Sequence, residues 1–268
     1  MRDPIAARSL VLGCLSPGHD TETTAIMALA DAASVPASSV RVTIKRLVDS
    51  GDVVQRGRGR HAVLTLTEAG SAHVREDRAA VRIAFAQDAG IIGWDDTWWL
   101  YALSIPESRR SERDAARRRL LALGCAPVTP GLYVSAQPLG LHLAHIGTEH
   151  VVTARAADLN VRGVSDPRAL AELLWPADPI LAPYDDLAAL IDEVATRIRT
   201  HDPHGADADV LRLHLAAGLE RAMRHDPLLP LELRTAPWPP TTTRTMWLET
   251  WESLTRRHPH SPYLRAQG

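Results

Sequence analysis

Residues 34–70 read SVPASSVRVTIKRLVDSGDVVQRGRGRHAVLTLTEAG, and the rest of the chain is best understood outward from them. Pro36 suits the first turn of a helix, where a missing N–H leaves no bond unmade. Gly51 suits its end. Between them Val40, Ile44, Leu47 and Val48 fall at i, i+4, i+7 and i+8, one apolar stripe for a core. The opposite face carries Ser38, Ser39, Val42, Lys45 and Arg46, with Arg41 on its flank. An outward valine needs a reason, and contact with a thymine methyl in a DNA major groove supplies one. Past Gly51, Val53-Val54 and Ala62–Leu66 read as two short strands joined by Gln55-Arg56-Gly57-Arg58-Gly59-Arg60. Glycines allow the turn, and arginines put charge at its tip, where phosphate or a narrow minor groove would meet it. Arg56, Arg58, Arg60 and His61 are the candidate contacts of this tip. The competing reading is a solvated hairpin on an unrelated domain; helix, stop, strand, basic turn and strand in this order favour DNA.

Upstream, residues 4–15 form a helical pattern with Ile5, Leu10, Leu12 and Leu15 apolar, broken at Ser16-Pro17-Gly18. Thr23 or Thr24 can cap a second helix running to Ala33, with Ile26, Leu29 and Ala30 as its buried side. Three helices and a hairpin predict a winged helix-turn-helix over residues 1–72, its third helix the reader. One connector helix is expected from about Ser71 to Asp88, with residues 73–90 assigned as the connector.

The composition bounds the function. The 268 residues carry a formal net charge of −2, so the molecule is no general nucleic-acid coat. Six cations against Asp49 and Asp52 between Arg41 and Arg60 make a local basic footprint instead. Cys14 and Cys125 lie in apolar stretches and read as buried free thiols, which fits a reducing interior. No run reaches transmembrane length and none reads as a secretory signal, so a cytoplasmic location is expected and no membrane partner.

From Gly90 the pattern changes. In WDDTWWLYALSIPE, Thr97, Trp99, Tyr101, Leu103 and Ile105 share one strand face and Trp98, Leu100, Ala102 and Ser104 the other. Both faces are largely apolar, which predicts a central strand. An amphipathic helix over Ser108–Leu123, two short strands around Pro130-Gly131, a helix near Leu139–Ile146 and a strand near His150–Ala156 complete a βαββαβ order, a ferredoxin-like unit over 91–166. Residues 167–268 read as a helical C-terminal domain with prolines at its joints. Trp247, Trp251 and Leu254 at i, i+4 and i+7 read as core packing, with part of a ligand pocket as the sharper alternative. The fold class is thus α+β and multidomain.

Together these segments resemble the PaaX family of bacterial transcriptional regulators, named for the repressor of phenylacetate degradation. VRVTIKRLVDSGDVVQRGRGRHAVLTLTEAG resembles the family's reading helix and basic wing. WDDTWWLYALSIPESRRSERDAARRRLLALGCAPVTPGLYVSA resembles its central motif, and RAMRHDPLLPLELRTAPWPP its C-terminal segment. The resemblance implies a winged helix, a central domain similar to the CRISPR Cas2 fold, and a helical C-terminal domain. It also implies a homodimer on palindrome-like operator DNA, a repressor released by phenylacetyl-CoA or another aryl- or acyl-CoA thioester, and no cofactor. Pro36 departs from the polar residue more usual near the start of the family's reading helix.

Arg109, Arg110, Arg113 and Arg117, in a second basic cluster that continues to Arg119, are candidates for the effector's phosphates. The competing reading pairs them with Glu107, Glu112 and Asp114. His142 and His145, with Glu149 and His150 nearby, lack a metal-site spacing, and no metal is expected. His201, His204, His258 and His260 are expected in exposed loops. No GxSxG, P-loop or Rossmann glycine pattern is present, so no enzyme is expected. The alternatives are a Cas2-like metal-dependent nuclease and a DNA-binding protein without effector. Against the first, the strand that would carry a catalytic aspartate ends Ser104-Ile105-Pro106.

Overall fold

A computed structural model describes residues 5–140, 148–259, 261 and 263, and the side chains of Arg60 and Thr148 lie outside the description. Two compact units emerge, neither contiguous in sequence. One takes the chain through Ala80, then Asp186–Arg221 and the stretch from Thr243; the other takes Val81–Asp185 and Ala222–Thr242. Residues of the C-terminal segment therefore serve both units.

The first unit opens with helices α1 (Ala7–Gly13), α2 (Thr23–Ala32) and α3 (Ala37–Asp49) and strands β1 (Asp20–Glu22), β2 (Val53–Arg56) and β3 (Val63–Leu66). α1, α2 and α3 pack on one another. Leu10, Ile26, Val40, Leu47 and Leu64 are buried among them, each contributing roughly 1.5–3 kcal/mol. Val48 of the expected stripe is only half-buried. The sheet is antiparallel in the order β1-β3-β2. α2 begins at Thr23 with Glu22 as the preceding residue, so neither threonine caps it. The Thr23 hydroxyl donates instead to the Ala62 carbonyl (2.9 Å) and that of Thr24 to the Glu22 carboxylate (2.9 Å). The connector is two helices, α4 (Glu68–Asp77) and α5 (Ala79–Asp88), divided at Arg78.

The helical remainder of this unit comes from α8 (Ala177–His201), α9 (Ala206–Met223) and α10 (Pro239–Arg257). A Cβ on Gly218 would stand 2.7 Å from Leu190 Cδ2, so glycine sets how closely α8 and α9 approach. Pro183 lies inside α8 rather than at a joint. Trp247 and Trp251 are buried and stacked, 5.0 Å apart, with the Trp247 indole N–H donating to the Leu215 carbonyl.

The second unit is built on β4 (Trp98–Leu103), β5 (Ala126–Thr129), β6 (Leu132–Ser135) and β7 (Val151–Ala156), antiparallel in the order β5-β6-β4-β7. A βαββαβ chain produces this order, its first strand interior. α6 (Arg110–Ala122) makes the first crossover. The helix expected near Leu139–Ile146 falls mainly on 141–147, outside the described residues. β4 separates two cores, as its two apolar faces require. Trp98 and Leu100 pack with Val134, Trp175 and Leu229, while Tyr101 packs with Leu120, Cys125 and Tyr133. α7 (Pro167–Leu174), begun by a hydrogen bond from the Ala169 N–H to the Asp166 carboxylate, brings Leu170 to the first of these. Cys14 and Cys125 are free and buried, and burial pushes both thiols up to about 12, helped at Cys14 by the charge of Asp209.

Candidate nucleic-acid interface

α3 ends as its sequence requires. Gly51, at φ +80°, takes the left-handed conformation that a side chain resists, and two hydrogen bonds close the helix: Gly51 N–H to Val48 O (3.1 Å) and Asp52 N–H to Leu47 O (3.0 Å). Asp52 then binds the helix to its surroundings. Its carbonyl accepts from the Thr67 N–H (3.0 Å), and its carboxylate takes Ser50 Oγ (2.8 Å) and His73 Nδ1 (2.7 Å). Burial opposes ionisation of this carboxyl, but Ser50, His73 and the charge of Arg8 outweigh it and hold its pKa below the usual range. Gly70 closes the same junction. A Cβ there would lie 2.0 Å from the Asp52 carbonyl oxygen, so the glycine of LTEAG is required by close approach. The Thr67 hydroxyl donates to the Gly51 carbonyl (2.7 Å) and accepts from the Gly70 N–H (2.9 Å), capping α4.

On this mount Val40, Ile44 and Leu47 face inward, and Ser38, Ser39, Arg41, Val42, Lys45 and Arg46 are all exposed. Val42 is 49% exposed. Lys45 is engaged by Asp49 (2.6 Å); Arg41 and Arg46 have no ion pair among the described residues. In the turn after β2, Gly57 (φ +79°) and Gly59 (φ +70°) reverse the chain, and Gln55 Nε2 donates to the Gly57 carbonyl (3.3 Å). Arg58 and His61 are exposed. Arg56 differs from the other wing candidates, because Asp20 of β1 takes its guanidinium and also accepts from Thr65 Oγ1 (2.6 Å). No sequence signal marks Asp20 as that partner, since a three-residue strand shows no alternating run.

The arginines of α6 are arranged otherwise. Arg109 donates to Glu112 and lies against His150; Arg113 is paired with Glu107; Arg110 stands 3.9 Å from Asp114. Hydrogen bonding and charge from Arg113 hold the Glu107 carboxyl low, and Arg109 does the same for Glu112. Three of the four effector candidates thus have a carboxylate where a phosphate would sit; Arg117 is exposed without an ion pair among the described residues.

The histidines also depart from expectation. His201 closes α8, and His258 is half-buried with Nδ1 2.9 Å from Asp209 Oδ2. His142, His145 and His260 lie outside the described residues. Among the described residues no three His, Cys, Asp or Glu side chains are grouped to hold a metal. After β4 come Ser104, Ile105 and Pro106, and the next carboxylate, Glu107, is the partner of Arg113. No described helix is long and apolar enough to cross a membrane.

Residues 92–171, which hold β4–β7 and α6, match the PaaX protein central Cas2-like domain. That stretch is similar to the PaaX central domain. This PaaX-like domain accounts for the mixed architecture of the second unit and points to a transcription-regulator family. The uncharacterized protein Rv0674 from Mycobacterium tuberculosis has a similar fold, with a TM-score of 0.56 at 20% identity, covering 98% of this chain and 100% of its own. No curated protein matches the chain.

Proposed function

We propose that this PaaX-like protein is a homodimeric winged-helix transcriptional repressor whose α3 enters the major groove of operator DNA. One observation carries the reading: every side chain assigned to the reading face, from Ser38 to Arg46, is exposed on a helix whose other face is buried. Ser38, Ser39 and Val42 suit base edges, and Arg41, Lys45 and Arg46 suit guanine or phosphate. The tip carrying Arg58, Arg60 and His61 suits the flanking backbone, with Arg56 tethered to Asp20 as its support. Residues 1–72 are the DNA-binding module on this reading, 73–90 its connector, 91–166 the Cas2-like domain and 167–268 the helical segment. A dimer presents two such helices to half-sites one or more helical turns apart. Release by an aryl- or acyl-CoA thioester requires that the ligand bind one dimer state more tightly than the other.

The test is a gel-shift on the promoter beside the protein's own gene, with and without phenylacetyl-CoA. A shift reversed by the thioester supports repressor and effector class together. A shift indifferent to it keeps the DNA-binding reading and removes that ligand. No shift at low salt with folded protein contradicts the proposal.

A further inference from the structure

The two edges of the four-stranded sheet are finished very differently. β5 forms one edge with four residues, carries Pro127, and shifts register between Pro127 and Thr129. A proline withholds a ladder donor and a bulge turns the strand aside, and both guard an edge against further pairing. β7 forms the other edge. Its residues, Val151–Ala156, hold an unbroken register against β4 and include no proline, glycine or lysine. The middle of the strand is exposed, with Val152 at 62%.

The ladder shows which backbone groups of β7 are open. The Ser104 N–H donates to the His150 carbonyl (2.9 Å), in the same register that sets Ala102 against Val152 and Leu100 against Ala154. Antiparallel pairs alternate between bonded and unbonded, so Val152, Ala154 and Ala156 also turn their N–H and C=O toward β4. On the far side of β4 the Leu103 N–H donates to the Gly131 carbonyl (2.7 Å), which fixes the same alternation independently. Val151, Thr153 and Arg155 therefore aim their N–H and C=O out of the sheet. None of these backbone groups has a hydrogen-bond partner among the described residues. The Arg155 side chain is drawn back toward β4, its guanidinium 5.2 Å from the Trp99 ring and 3.2 Å from the Asp95 carboxylate.

We propose that β7 pairs antiparallel with β7 of a second copy of this chain, about a two-fold axis at Thr153, joining the two sheets edge to edge. Thr153 then lies opposite the partner's Thr153, and Val151 opposite the partner's Arg155. These are the residues whose groups point outward, so every open donor and acceptor is filled. Val152 meets the partner's Ala154, apolar against apolar, and no two charges stand opposite each other. A two-fold axis at Ala154 instead would carry Val151 past the end of the partner strand. Pairing of β7 with β5 of another copy would build an open chain, and Pro127 with its bulge stands against that. A bare, straight edge is a hazard to a monomer, and one that matches itself selects a second copy over an unrelated strand. This interface deepens the dimer of the proposed regulator and rests on that reading for its partner.

The experiment measures the mass of the full chain by light scattering over a dilution series, then oxidises Thr153→Cys and Arg155→Cys under mild conditions. Bonded antiparallel partners stand about 5.5 Å apart at Cα, within reach of a disulfide. Cys14 and Cys125 are buried and give no background. A dimer is expected, with Thr153→Cys trapped covalently and Arg155→Cys, which faces residue 151 rather than its counterpart, left free. Thr153→Pro removes an outward N–H and leaves the ladder to β4 intact. That variant and Val152→Lys, at an exposed position, are each expected to raise the dimer dissociation constant by about tenfold or more. A monomer at every concentration would overturn both this interface and the homodimer of the proposed function. A dimer that gives no Thr153→Cys cross-link, or that keeps its affinity in Val152→Lys, would overturn the interface alone and place the contact on another surface. Equal cross-linking of Arg155→Cys would overturn the register.

Discussion

α3 and α6 are both thirteen-residue helices rich in arginine, and the difference between them is where the carboxylates fall. Around α6, Glu112 and Asp114 stand three and four residues from Arg109 and Arg110, Glu107 stands six before Arg113, and each takes its arginine. α3 has Asp49 within reach of both Lys45 and Arg46, and Lys45 takes it, which leaves Arg41 and Arg46 to solvent. Counting cations gives α6 the stronger claim on an anionic partner; following their partners removes that claim from the first half of α6 and leaves it on the exposed face of α3. The far end of α6 shows the same rule, since Arg117, Arg118 and Arg119 run past the last carboxylate and have no ion pair among the described residues.

Four predictions press on this contrast. The largest effect concerns the mount of α3. Gly70→Ala forces a methyl against the Asp52 carbonyl and is expected to cost about 3 kcal/mol in urea unfolding. A loss under about 1 kcal/mol would mean that this junction yields and that α3 is not rigidly set. Gly51→Ala is expected to cost less, about 1–2 kcal/mol, through its φ of +80°. On α6, Arg109→Ala and Arg113→Ala are each expected to leave the urea-unfolding midpoint nearly unchanged, since both pairs are exposed and screened by solvent. A larger loss would show that these arginines carry more than surface pairing. The smallest effect is acid-dependent. The folded pKa of Asp52 is depressed, so its contribution is complete above the unfolded pKa and is lost as pH falls through the lower folded value. Asp52→Asn is therefore expected to flatten stability against pH in that acid window and nowhere near neutrality. An unchanged acid limb in acid-unfolding curves would place the linkage elsewhere.

Much of this architecture was legible where periodicity and stop signals agree. Val40, Ile44 and Leu47 mark the inward face of α3, and Gly51 marks its end. β4 shows two apolar faces, and the strand order followed from its interior place. What stayed hidden depends on pairing across the chain. β1 is three residues with one buried side chain, and the hold of Asp20 on Arg56 spans 36 positions. Arg78 divides the connector with no proline or glycine to announce it. Residues 167–268 read as one helical block, yet the packing of α8, α9 and α10 assigns parts of each to both units.

The central claim is that α3, and not α6, meets DNA. Its most direct test is one titration of the neighbouring promoter fragment by fluorescence anisotropy with the wild-type chain, Arg46→Ala and Arg113→Ala at a fixed salt concentration. The account predicts that Arg46→Ala weakens binding by about 1–3 kcal/mol while Arg113→Ala leaves it unchanged. Equal affinity for all three, or a loss confined to Arg113→Ala, would contradict it.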